Sequence, residues 1–226
     1  PVRTFEQVWS LLETVATGDR GTIHVGHGRY EITDSKVYTS NLTIVGQGSQ
    51  LIAQADDPPG NVGSVRTGTV LYLADGADCD MFVPGINSAD PQTFQHFLTL
   101  KNLTLLGNKA NNSRGSGVVT SSAGYLSSCD NVVFQNFSGY GLICFRPPVT
   151  LYLYNAGFLF NERGGVLLDM AVGDSNPLGG RWASSALGQL AFFGGQSDGN
   201  VSSWLRVRNR VGSNPNIYLI SNQWEQ

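Results

Sequence analysis

Two carboxylates, Glu162 and Asp169, stand seven positions apart in the stretch Asn161-Glu162-Arg163-Gly164-Gly165-Val166-Leu167-Leu168-Asp169. Two acids facing one groove are the minimum equipment for cleaving a glycosidic bond, one protonating the leaving oxygen and the other serving as base or nucleophile. Arg146, one internal repeat earlier, adds a cation, and Phe145 beside it and Trp182 downstream add apolar ring faces. Aromatic faces beside charged hydrogen-bonding groups suit a sugar ring. The expected site is therefore glycan-binding through Arg146, Glu162, Asp169 and Trp182, with Glu162 and Asp169 the candidate catalytic pair. In the competing reading Phe145 and Phe193 point into the core and Asp169 pairs with an arginine.

Other chemistry is thinner. Asp75, Asp78 and Asp80 alternate across a glycine-containing stretch, a spacing that suits a hard cation such as Ca2+, but they lack the rest of a calcium-loop pattern and read better as a solvated turn. His24 and His96 have no cysteine or carboxylate at metal-ligand spacing, so neither a metal nor a cofactor is expected. Arg206, Arg208 and Arg210 alternate with Leu205, Val207 and Asn209, which makes a strand with one charged face: an edge-protecting strand, or a stripe for an acidic glycan. Cys79, Cys129 and Cys144 are an odd count at irregular spacing and read as buried free thiols.

Composition sets the frame for these residues. Charged residues are only 14% of the 226, while Gly numbers 28 and Asn 17, a profile of turn-rich β structure rather than of charged helical bundles. A net charge of −3 argues against a nucleic-acid partner. No apolar run approaches a membrane span, and no secretory leader is expected. The five Asn-X-Ser/Thr sequons, at Asn41, Asn102, Asn111, Asn136 and Asn200, follow from composition rather than glycosylation.

The elements that must position the site are one helix and a repeat. Thr4-Phe5-Glu6-Gln7 has capping-box spacing, and Phe5, Val8, Trp9, Leu12, Val15 and Ala16 follow helical periodicity, which predicts a helix over Thr4 to Thr17. Asn41-Leu42-Thr43-Ile44-Val45-Gly46 recurs as Asn102-Leu103-Thr104-Leu105-Leu106-Gly107. Asn131-Val132-Val133-Phe134 and Asn155-Ala156-Gly157-Phe158 are 24 residues apart, and Gly117, Gly141 and Gly165 open a second series at the same step. Extending that series once more brings Gln189-Leu190-Ala191-Phe192-Phe193 into line, which would set Phe145, Asp169 and Phe193 in one column. Short strands at a fixed step cannot bury their own faces and must stack, Asn131 over Asn155 as an amide ladder. Longer insertions are expected at 54–68, 84–95, 108–116 and 173–186.

Thr22-Ile23-His24-Val25, Gly28-Arg29-Tyr30-Glu31-Ile32, Asn41 to Gly48 and Leu103 to Asn108 resemble the opening coils of pectate-lyase-like right-handed parallel β-helix proteins, over about residues 4 to 170. The resemblance implies an all-β, single-stranded right-handed parallel β-helix, with an N-terminal capping helix in residues 1–20 and the β-helix in 21–226. That group includes tailspike and attachment proteins of viruses as well as polysaccharide lyases and hydrolases. Gly26-His27-Gly28 is similar to the polygalacturonase Gly-His-Gly but sits in the first coil, and the paired-aspartate signatures of those enzymes are missing. The expectation is a glycan-binding attachment or structural module of a phage-like surface or tail appendage, on the virion surface or extracellular. A secreted polysaccharide lyase or hydrolase is the alternative. Ile217 to Trp224 is still strand-like, which predicts either a fragment of a longer chain or an end covered by another subunit, most simply in a homotrimer with Trp224 and the Arg206–Arg210 strand near the contact.

Overall fold

The computed structural model describes residues 4–14, 21–38, 41–49, 68–85, 96–120, 124–145, 150–169, 189–208, 216–220 and 223–224. The chain opens with helix α1 (Phe5–Thr14). Thr4 and Gln7 cap it reciprocally: the Gln7 N–H donates to Thr4 Oγ1 at 3.2 Å and the Thr4 N–H to Gln7 Oε1 at 3.3 Å. Its apolar face buries Phe5 and Trp9, which meet Phe82 at ring-centroid distances of 6.4 and 6.0 Å. On the polar side Glu6 accepts from the Thr33 N–H at 3.1 Å and, together with Asp34, pairs with Lys36. Lys36 is buried at 2% exposure, where an unpaired ammonium would be costly; the two carboxylates make the site tolerable and fix the helix on the strands.

Everything else described is strand or turn. In chain order come β1 (Gly21–His24), β2 (Gly28–Ile32), β3 (Lys36–Tyr38), β4 (Leu42–Val45), β5 (Thr69–Leu73) and β6 (Phe82–Pro84). Then follow β7 (His96–Leu106), β8 (Val118–Thr120), β9 (Gly124–Gln135), β10 (Tyr140–Phe145) and β11 (Thr150–Leu159). The last are β12 (Gly164–Asp169), β13 (Gln189–Asp198), β14 (Leu205–Arg208), β15 (Asn216–Ile220) and β16 (Gln223–Trp224). Every described pairing is parallel. One sheet of ten strands runs β1-β4-β7-β9-β11-β13-β15, with β5 joined to β7, β2 to β5 and β16 to β13; a second of six runs β14-β12-β10-β8-β6-β3. Across the described residues the protein is all-β, with parallel strands in stacked sheets and one short helix, an arrangement compatible with a parallel β-helix.

The long strands β7, β9, β11 and β13 each bend at a residue with positive φ, followed in β13 by a second, Gly195, at 133°. The bend residues are Asn102, Asn131, Asn155 and Gly194, with φ of 53°, 54°, 46° and 63°. Asparagine reaches this conformation more cheaply than other non-glycine residues, and its amide then points along the stack. Asn131 Nδ2 donates to Asn102 Oδ1 at 3.0 Å and Asn155 Nδ2 to Asn131 Oδ1 at 3.2 Å, so the expected ladder exists and reaches one repeat further back.

The 24-residue step is the register itself: Leu142 pairs with Val118 and Val166, and Phe134 with Phe158. The Phe134 and Phe158 rings stack in the core at 4.8 Å and 6°. That stack explains the glycine series. A Cβ on Gly141 would lie 2.8 Å from Phe158 Cδ1 and 2.9 Å from Phe134 Cβ, so only glycine lets this edge of the second sheet approach the rings.

One extension of the step fails. Gln189–Phe193 pairs with Thr150–Tyr154 in the large sheet, and the strand that continues Gly165–Asp169 is β14. The step lengthens to 39 residues here, Leu151 to Leu190 and Val166 to Leu205, because the chain between Asp169 and Gln189 carries an insertion. Phe193 therefore leaves the Phe145–Asp169 column, and Arg208 takes its place.

Candidate functional site

The residues expected to form the site land as follows. Arg146 and Trp182 lie outside the described residues, as does Arg210; of Trp224 the strand position is described and the side chain is not. Glu162 is exposed in the turn before β12, where its N–H donates to the Phe137 carbonyl at 2.8 Å. Asp169 ends the same strand, 7% exposed, with Arg208 Nη1 at 3.3 Å from Oδ2. From Gly164 to Asp169 the extended chain covers about 16 Å, so β12 holds the two carboxylates apart rather than bringing them to one groove. Arg206 and Arg208 do share a face, over Leu167 and Asp169, and Arg206 Nη1 reaches the Tyr140 hydroxyl at 3.5 Å.

The aspartate stretch is spent on turn structure. Asp78 Oδ1 accepts from the Ser113 N–H at 2.7 Å and hydroxyl at 3.1 Å and from the Arg114 N–H at 3.3 Å, and the Ser113 bonds hold its carboxyl below the usual range. Asp75 Oδ1 accepts from Asn108 at 2.9 Å and Asn111 at 3.1 Å. Asp80, whose carboxyl burial pushes up, accepts from the Ser116 N–H. Among the described residues no three His, Cys, Asp or Glu side chains gather as a metal site. His27 acts as a loop anchor, its Nδ1 accepting the Gly68 N–H at 2.9 Å. No described helix is long and apolar enough to cross a membrane.

The outward face of the large sheet carries what the sequence reading missed. Two columns of side chains cross its strands in register. One runs Thr43, Thr99, Ser128, Tyr152, Ala191, Tyr218, and the other Val45, Lys101, Asp130, Tyr154, Phe193, Ile220. On the early strands these positions are mostly polar; on β11, β13 and β15 they turn aromatic and apolar. Tyr152 and Tyr154 are 39% and 40% exposed, and Tyr218 and Ile220 both 48%. Tyr154 overlaps Phe193 at 5.0 Å and 13°, and Tyr152 lies 6.0 Å from Tyr154 and 6.2 Å from Phe193. The partners at alternate positions, Leu151, Leu153, Leu190 and Phe192, are buried, so the sheet is rigidly seated beneath the exposed rings.

Rings and apolar side chains gathered on one face of three neighbouring strands, beside the Asp130 carboxylate and the Ser128 hydroxyl, form a contiguous patch rather than scattered apolar exposure. The sequence signal was present in Leu151-Tyr152-Leu153-Tyr154, but an unbroken apolar run reads as buried on both faces. Comparison with known proteins finds no family model, no curated protein and no solved structure that matches this chain.

Proposed function

We propose that the chain is a right-handed parallel β-helix that binds glycan on its outward aromatic face, serving as an attachment or structural module of a phage-like surface or tail appendage. The observation that carries this reading is the cluster of Tyr152 and Tyr154, both exposed, with the half-buried Phe193 ring stacked on Tyr154 and Asp130 and Ser128 on the adjoining strand. Ring faces and hydroxyls give a pyranose its apolar contact, and the carboxylate and hydroxyl beside them satisfy its edge. The all-parallel stacking and the asparagine ladder support the β-helix assignment. Work on the virion surface or outside the cell, as a homotrimer, belongs to the same proposal and rests on the sequence resemblance. Catalysis has less behind it, because Glu162 and Asp169 stand at opposite ends of β12 and Asp169 is engaged by Arg208.

Screening the purified protein on a glycan array, then titrating a bound glycan into Tyr154→Ala, tests the reading. Loss of one aromatic contact of ~1–1.5 kcal/mol should weaken binding roughly tenfold. Because Tyr154 is exposed, the melting temperature should hold; unchanged affinity would remove the aromatic face from the site.

A further inference from the structure

We infer that the aromatic face takes a linear, uncharged oligosaccharide laid along the stacking axis, across the strands, with the hydroxyls of Thr99 and Ser128 at one end of the track and the rings of β11, β13 and β15 at the other. This rests on the glycan-binding reading above and adds the direction, length and charge class of the ligand.

Direction follows from the shape of the face. Along β11, β13 and β15 three outward positions are in register (150, 152 and 154 over 189, 191 and 193 over 216, 218 and 220), a width of about 13 Å. Across the strands the last two of these positions repeat on β7, β9, β11, β13 and β15, a run of roughly 19 Å at ~4.8 Å per strand. The long dimension is axial, and only an extended ligand lying that way touches both the hydroxyl-bearing and the aromatic strands.

Charge follows from what lines the track. Lys101 and Asp130 are register partners on β7 and β9, one cation beside one anion, so the face offers a polyanion no net attraction. Arg206 and Arg208 belong to the other sheet, and Arg208 is held by Asp169. An uncharged sugar chain needs neither. Its hydroxyls can use Ser128, the Asp130 carboxylate and the Tyr154 hydroxyl, and its apolar ring faces the tyrosines.

Titration calorimetry with two length series, neutral and uronate-bearing oligosaccharides of two to six sugars, tests this. Affinity in the neutral series should climb to about four or five sugars, the length that spans the track, and then level off. Ser128→Val should weaken the longest neutral members several-fold and leave the disaccharides unchanged, whereas Tyr154→Ala should weaken every member; Asp130→Asn, which keeps the shape and leaves Lys101 uncompensated, should raise affinity for the uronates. A flat length dependence, or uronates binding the unsubstituted protein more tightly with steep salt dependence, overturns the axial neutral track while leaving a glycan site. Failure of every member of both series to bind overturns the glycan reading, and this inference with it.

Discussion

Asp169 shows how one partner changes what a residue can do. In the sequence it is a carboxylate at a useful distance from Glu162; in the structure it is 7% exposed and faces Arg208 at 3.3 Å, so its charge is already spent. The competing sequence reading had allowed for an arginine partner, and the residue that supplies it sits 39 positions downstream, beyond the reach of a 24-residue register. The cysteines were more legible, because thiols of this type are usually buried. Cys129 and Cys144 lie inside the stack, where burial pushes both thiols up, Cys144 to about 12, while Cys79 is half-buried. Thiolate is the reactive form, so iodoacetamide at about pH 8 should label Cys79 first in the folded protein and reach the other two only after unfolding, as peptide mapping would show. Cys144 is neutral in the folded state and ionises nearer its ordinary value when unfolded. The folded state therefore keeps its proton longer, and this contribution to stability is present below about pH 9 and lost as pH rises toward 12. Labelling of Cys144 at the rate of Cys79 would contradict its burial.

At the level of elements, the corners and the close approaches carry the register. Asn131 holds φ at 54° and links Asn102 to Asn155 through its amide. Asn131→Ala should cost about 1–2 kcal/mol through the left-handed backbone and the lost bonds, and Asn131→Gly distinctly less, because glycine keeps the backbone and loses only the ladder. Urea unfolding of the two variants separates these terms, and equal losses would mean the amides alone matter. Gly141 makes the complementary case. Adding a methyl there drives Cβ to within 2.8 Å of the Phe158 ring, so Gly141→Ala should destabilise by roughly 1–3 kcal/mol, read as a lower urea midpoint. Both positions were visible as a periodic residue type. Why glycine was needed was not, since the Phe134–Phe158 stack it borders comes from a different sheet.

For the whole molecule, the first described strands are sealed and the last described strands are more exposed. Helix α1 seals the first strands with Phe5 and Trp9, at 2% and 3% exposure. At the other end the inward columns surface: Phe192 is 1% exposed and its register partner Leu219 is 46%, while Leu168 is sealed and its partner Val207 is 42% exposed. The exposed apolar side chains Val207, Leu219 and Ile220 on β14 and β15 favour self-association of this chain. Sedimentation equilibrium at micromolar concentration should therefore find assemblies larger than the 24.3 kDa chain; a single species of that mass would show that the open columns are tolerated in a monomer.

By itself the sequence determined the class of the protein: one capped helix, parallel strands at a fixed step, buried thiols and an asparagine ladder. Each of these is written in local residue type and spacing, which a stacked repeat copies directly into register. The tertiary structure decided which residues share a face. The insertion after Asp169 moved Phe193 out of the Asp169 column and into contact with Tyr154, and put Arg208 where a ring had been expected. A periodic pattern says what lies one repeat away only while the repeat keeps its length. Where it lengthens from 24 to 39 residues, backbone pairing between strands within each sheet sets the neighbours, and the candidate site stands at that junction.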